Sequence, residues 1–132
     1  MKIEIISCLK DNYSYLIIDE KNKNACVVDP SEAQPIINYL DKNNIQLTFI
    51  LNTHHHYDHV GGNSELKKKY NAKVVGYIYD TERIPDIDVV VKNGEIWSKD
   101  NFNAKIIHIP GHTLGHICFH FFNEKNIFTG DT

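Results

Sequence analysis

The chain has 132 residues, of which 42% are hydrophobic and 23% charged, so it fits one soluble globular domain of ordinary size. Its formal net charge of −3 gives no electrostatic footprint for nucleic acid or an anionic membrane. No apolar run approaches the ~18 residues of a membrane span, and the start MKIEIISCLKDNYSYL has early charges and no continuous apolar stretch of signal-peptide type.

Short apolar runs separated by turn residues dominate the chain. Ile3–Cys8, Tyr13–Asp19 and Ala25–Asp29 read as strands, joined by turns near Lys10-Asp11-Asn12 and at Lys21–Asn24. Pro30-Ser31 then opens a helix, with Ser31 as its expected cap, Ile36, Ile37 and Leu40 as its apolar stripe, and a stop near Lys42-Asn43-Asn44. Leu47–Asn52 reads as a buried strand. Gly61-Gly62-Asn63 makes a turn and Ser64–Tyr70 a short helix, whose run Lys67-Lys68-Lys69 is a solvated face. Lys73–Tyr77, Ile87–Val91 and Glu95–Ser98 are strands, the last two expected to form a hairpin through Lys92-Asn93-Gly94. Phe102–Ile109, His116–Phe122 and Asn126–Thr129 complete a strand-rich second half. Strands with a few interspersed helices predict an α/β layered domain rather than an all-β barrel. Cys8, Cys26 and Cys118 are odd in number and lie in separate apolar runs. They read as reduced core residues and point to a reducing compartment, with a cytosolic location as the default.

Between Leu47–Asn52 and the Gly-Gly turn lies THHHYDH, which holds four of the chain's eight histidines. In near-extended backbone after a strand, alternate side chains point the same way, so His54 and His56 can aim at one point while His55 points elsewhere. Asp58 and His59 follow as the chain turns and can aim at a second point nearby. Imidazole and carboxylate together suit zinc, iron or manganese. A catalytic zinc commonly has three protein ligands, so another segment must contribute. His112, in IPGHTLGH, and Asp131, in FTGDT, each sit just past a strand, where sites tend to be built. Asp131 could bridge two metals. His108 and His120 read as structural and His116 as a residue that packs against or supports the site. Asp29, in VVDP, is equally a turn former or a group that orients a ligand histidine.

Three stretches, LKDNYSYLIID, THHHYDHVGGN and IPGHTLGHICF, together with the final FTGDT, resemble the metallo-β-lactamase superfamily, and within it the glyoxalase II group. The resemblance spans the whole chain. It implies a four-layer αββα sandwich with the site at one edge between the sheets. It also implies His54, His56 and His112 as ligands of a first metal, Asp58 and His59 as ligands of a second, and Asp131 as the bridging carboxylate. The implied reaction is hydrolysis of a glutathione thioester by water that two zinc ions, or iron or manganese, make acidic, with Asp58 helping to orient it. Members of the group are longer than this chain. The expectation is therefore a single domain over residues 1–132 that covers roughly the first half of the sandwich. Its second metal would lack a last histidine, and the basic and tyrosine residues that hold glutathione would be missing. A sheet face or edge would be left exposed and open to self-association. The other readings are a non-catalytic metal-binding or interaction module, and a single-iron persulfide dioxygenase on the same fold.

Overall fold

A hydrophobic alternation that switches from period two to period 3.6 and back builds two stacked sheets with helices on one side. The computed structural model describes residues 1–9, 12–55, 60–84, 86–109 and 116–130. The first sheet has six strands in spatial order β1 (Lys2–Cys8), β2 (Asn12–Asp19), β3 (Asn24–Val28), β4 (Gln46–Leu51), β5 (Lys73–Tyr77) and β6 (Ile87–Val91). The pairs β1/β2 and β2/β3 are antiparallel, and β3 through β6 run parallel. The second sheet is antiparallel, in the order β10 (Asn126–Phe128), β9 (Ile117–Phe121), β8 (Phe102–His108), β7 (Ile96–Lys99).

Parallel neighbours need crossovers, and described helices lie in two of the three. Helix α1 (Gln34–Lys42) links β3 to β4, and α2 (Asn63–Tyr70) lies between β4 and β5. Ile36, Ile37 and Leu40 of α1 and Leu66 of α2 pack with Leu16, Ile18, Val27, Leu47, Ile50 and Val74 on one face of the first sheet. Its other face meets the second sheet through Ile17, Cys26, Leu51, Val75, Phe102, Ile106, Phe119 and Phe121. Phe49 and Trp97 cross this interface edge-to-face at 5.0 Å. Asn101 Nδ2 donates to Asp19 Oδ2 at 2.8 Å and joins the sheets at their rim. Fully burying each of these aliphatic side chains contributes about 1.5–3 kcal/mol, which is why the alternation decides the register.

The predicted strands agree with the structure to within a residue or two. Two local expectations do not. Ser31 does not cap α1. The helix begins three residues later, after Ala33, with no side-chain cap and with Pro35 in its first turn, where the fixed φ of proline suits a helix start. Ser31 is instead buried, and its N–H donates to Ser14 Oγ at 3.3 Å. Lys92-Asn93-Gly94 makes no hairpin, because β6 and β7 belong to different sheets. Gly94 takes φ +84°, its N–H donates to Ile106 O, and Asn93 Oδ1 accepts from His108 N. The turn chemistry is thus used to cross from one sheet to the other and is pinned to β8.

Among the described residues the layers are α, β and β, three of the expected four. The helices cover the first sheet, and no described helix is long and apolar enough to cross a membrane. On the outer face of the second sheet Ile96 and Ile127 are exposed, as is Ile5 on the edge strand β1. Cys8, Cys26 and Cys118 are free and buried, as expected of core thiols. Burial pushes the Cys26 thiol well above its usual range, with Asp100 adding to the effect, and burial also raises Cys118. All three thiols are expected to be inert to a thiol reagent in the native chain and to titrate fully on denaturation. A fast-reacting thiol in the native state would contradict this packing.

Candidate metal centre

Strand β4 ends at Leu51, and the residues after it leave the carboxyl end of a parallel strand, the usual place for a site in such a sheet. Asn52 N donates to Val75 O, so the departing chain stays beside β5. Thr53 is fully buried and engaged on every polar atom. Its N–H donates to Asp29 Oδ1 at 2.8 Å, its hydroxyl lies 2.6 Å from Asp29 Oδ2, and its carbonyl accepts from Ile117 N at 2.8 Å.

Asp29 forms the turn and also reaches the segment that carries His54. It adopts a left-handed backbone, φ +51°, which aspartate tolerates better than most residues. That bend turns a buried carboxylate from the end of β3 toward the end of β4. The bend is held by Asp29 N donating to Leu51 O and by Ser14 Oγ donating to Asp29 O at 2.8 Å.

His54 is buried, and its Nδ1 lies 2.9 Å from Thr53 Oγ1. The hydroxyl has one proton, and the carboxylate of Asp29 can only accept. The proton therefore goes to Asp29, and the hydroxyl accepts from His54 Nδ1–H. This relay assigns the tautomer with the lone pair on Nε2, the form a metal requires.

The loop that begins with this relay is fastened at its far end as well. Asn63 Nδ2 donates to Asn52 Oδ1 at 2.6 Å and Asn52 Nδ2 to Asn63 Oδ1 at 3.3 Å, a reciprocal buried amide pair. Gly62 N donates to Pro30 O at 2.7 Å. A Cβ on Gly62 would stand 2.9–3.0 Å from the backbone of Pro30, Glu32 and Ala33, so only glycine allows this approach.

Two further segments converge on His54. The His116 ring packs on it with centroids 4.8 Å apart, and His116 Nε2 donates to Thr129 O at 2.6 Å. Ile109 N donates to His116 O and closes the base of the β8–β9 connection. Gly130 takes φ +65°, and a Cβ there would lie 2.5 Å from Thr53 Oγ1 and 2.7 Å from His116 Nε2. Of the predicted ligands, His54 is described and sits at this junction. His56, Asp58, His59, His112 and Asp131 lie outside the described residues. The described neighbours of three of the ligand segments, Thr53, His116 and Gly130, are in contact or within a Cβ of it. His108 stacks on Tyr77 at 4.7 Å and His120 lies on the outer face of the second sheet. Sequence reasoning did not single out Thr53, the Asn52–Asn63 pair or Gly130.

The donor chemistry fits a borderline divalent metal: a buried imidazole with one nitrogen held by a hydroxyl–carboxylate relay, in a segment rich in further imidazoles and a carboxylate.

Residues 10–132 match the family described as the Metallo-beta-lactamase superfamily. A hydroxyacylglutathione hydrolase of Pelagibacter ubique (strain HTCC1062) is 65% identical over 132 residues, which are 100% of this chain and 55% of the relative. The hydroxyacylglutathione hydrolase of Methylococcus capsulatus (strain ATCC 33009 / NCIMB 11132 / Bath) is 43% identical over 132 residues, 52% of its length. The chain thus spans about half the length of the curated relatives it matches. Among solved structures, the B3 metallo-beta-lactamase BLEG-1 superposes with a TM-score of 0.90 at 20% identity, covering 98% of this chain and 72% of the other. ETHE1 from Myxococcus xanthus superposes with a TM-score of 0.84 at 25% identity, covering 99% and 57%.

Proposed function

The chain belongs to the metallo-beta-lactamase superfamily, and from that membership we propose that it serves metal-dependent hydrolysis of a glutathione thioester, S-lactoylglutathione, to lactate and glutathione. The observation that carries this reading is the Asp29–Thr53–His54 relay, which presents an imidazole lone pair at the carboxyl end of β4. The identity with hydroxyacylglutathione hydrolases over the whole chain supports the choice of substrate class.

In this reading His54, His56 and His112 would hold one ion. Asp58 and His59 would hold a second, and Asp131 would bridge the two. Zinc is the first choice, and iron and manganese suit the same donors. Bound ions would supply Lewis acidity and make water a nucleophile near neutral pH. The chain's own residues do the rest. The relay keeps the proton off His54 Nε2. The buried Thr53, His54 and His116 exclude bulk water from one side of the site. Asp58 would orient the attacking water toward the thioester carbonyl.

Turnover of S-lactoylglutathione by the 132-residue chain, supplied with zinc or iron, tests the proposal beside a His54→Ala control. His54→Ala is expected to lower metal content and turnover by about two orders of magnitude while leaving the far-ultraviolet circular dichroism unchanged. Asp58→Ala is expected to lower metal content likewise. Bound metal without turnover would assign this span to metal binding alone. Unchanged metal content in both variants would remove the site.

A further inference from the structure

The middle of the three consecutive histidines is His55, which the ligand scheme leaves unused. Its ring lies on the β5 side of the loop and meets a residue from a distant part of the chain. Asp80 ends the 3-10 turn Ile78–Asp80 that follows β5, and it is fully buried. Its backbone is fixed, because its carbonyl accepts from both Arg83 N and Ile84 N at 3.0 Å. One carboxylate oxygen, Oδ1, accepts from Arg83 Nη1 at 3.3 Å. The other, Oδ2, is buried without a hydrogen bond among the described residues and faces His55 Nδ1 at 3.6 Å.

A buried carboxylate oxygen left without a hydrogen bond is costly, so its retention needs a cause. The topology supplies one. β4 and β5 are parallel neighbours, so the segments leaving their carboxyl ends run side by side. In near-extended backbone His55 points opposite to His54. A group that holds His55 toward β5 therefore holds His54 toward the other side.

We propose that Asp80 is a positioning residue for the metal-binding loop, acting through its contact with His55. This rests on the metal reading given above. At 3.6 Å the contact is electrostatic rather than a hydrogen bond, and it does not require a charged His55, since a neutral ring whose Nδ1–H points at the carboxylate is attracted to it as well.

The test compares the chain with its Asp80→Ala, Asp80→Asn, His55→Leu and Arg83→Ala variants. Two quantities are read: zinc affinity, by competition with a chromophoric chelator, and amide hydrogen exchange of residues 53–62 in the metal-free chain. Asp80→Ala is expected to weaken zinc binding about 10–100-fold and to speed exchange in the loop. Asp80→Asn keeps an acceptor oxygen and is expected to recover most of both. Arg83→Ala should leave both near the parent values. If Asp80→Ala fails to fold, His55→Leu removes the same contact from the exposed side and should reproduce the loosened loop. Parent-like affinity and exchange in Asp80→Ala or His55→Leu would overturn the proposal. So would an Arg83→Ala variant that matches Asp80→Ala, because the role would then lie in the turn. A parent chain that binds no zinc would sink the metal reading alone, and the metal-free exchange would still decide the role of Asp80.

Discussion

Asp29→Asn is expected to weaken zinc binding by about 10–100-fold while the two sheets stay assembled. Asparagine tolerates the left-handed backbone at this position, φ +51°, so the turn survives. Its side-chain oxygen can still accept from Thr53 N, as Asp29 Oδ1 does at 2.8 Å. Its amide, however, would face the Thr53 hydroxyl, which now sits 2.6 Å from Asp29 Oδ2. The hydroxyl would then accept from the amide and give its own proton to His54 Nδ1. The ring would carry its proton on Nε2, the nitrogen a metal needs. Asp29→Ala would behave differently. It removes two hydrogen bonds to a buried carboxylate, each worth about 1.5–3 kcal/mol, and leaves a β-carbon residue in a left-handed conformation. A stability loss of about 4 kcal/mol in urea unfolding is the expected result, together with the loss of metal. If Asp29→Asn binds zinc as the parent does, the relay does not set the tautomer of His54.

The contrast between these substitutions shows where sequence reasoning stops. The segment THHHYDH could be read as a ligand cluster because alternation after a strand is a local property. The strands themselves were legible for the same reason, down to Ile3–Cys8 against the observed Lys2–Cys8. The relay was not legible, because Asp29 and Thr53 lie 24 residues apart and meet only when β3 and β4 pair in parallel. Asp80 and His55 meet by the same logic across β4 and β5. Asn93-Gly94 misled for a related reason. Turn chemistry specifies a bend in the chain, and the sheet that each flanking strand joins is decided by long-range burial. Ser31 had the composition of a cap, but the Ser14 hydroxyl claims its N–H, and the helix waits for Pro35.

Gly130→Ala carries the second large effect, since it acts where three segments meet. The backbone at Gly130 has φ +65°, a conformation that costs an alanine about 1 kcal/mol. Space is the larger obstacle. The added carbon would stand 2.5 Å from Thr53 Oγ1 and 2.7 Å from His116 Nε2. Neither group can swing away freely. The Thr53 hydroxyl is held between Asp29 and His54, and His116 is held by Thr129 O and by its packing on His54. Relief must come from backbone movement, and overpacking of this kind costs about 1–3 kcal/mol. The total expected loss is about 3 kcal/mol in urea unfolding. It should be accompanied by zinc binding weakened at least tenfold, because the displaced atoms are those that orient His54. Gly94→Ala is the matched control: it also has positive φ, +84°, but nothing lies within 4 Å of the added carbon. Its cost should be the conformational ~1 kcal/mol alone, with zinc affinity unchanged. Equal effects of the two substitutions would mean that the strain at Gly130 is purely local and that the end of β10 does not brace the relay.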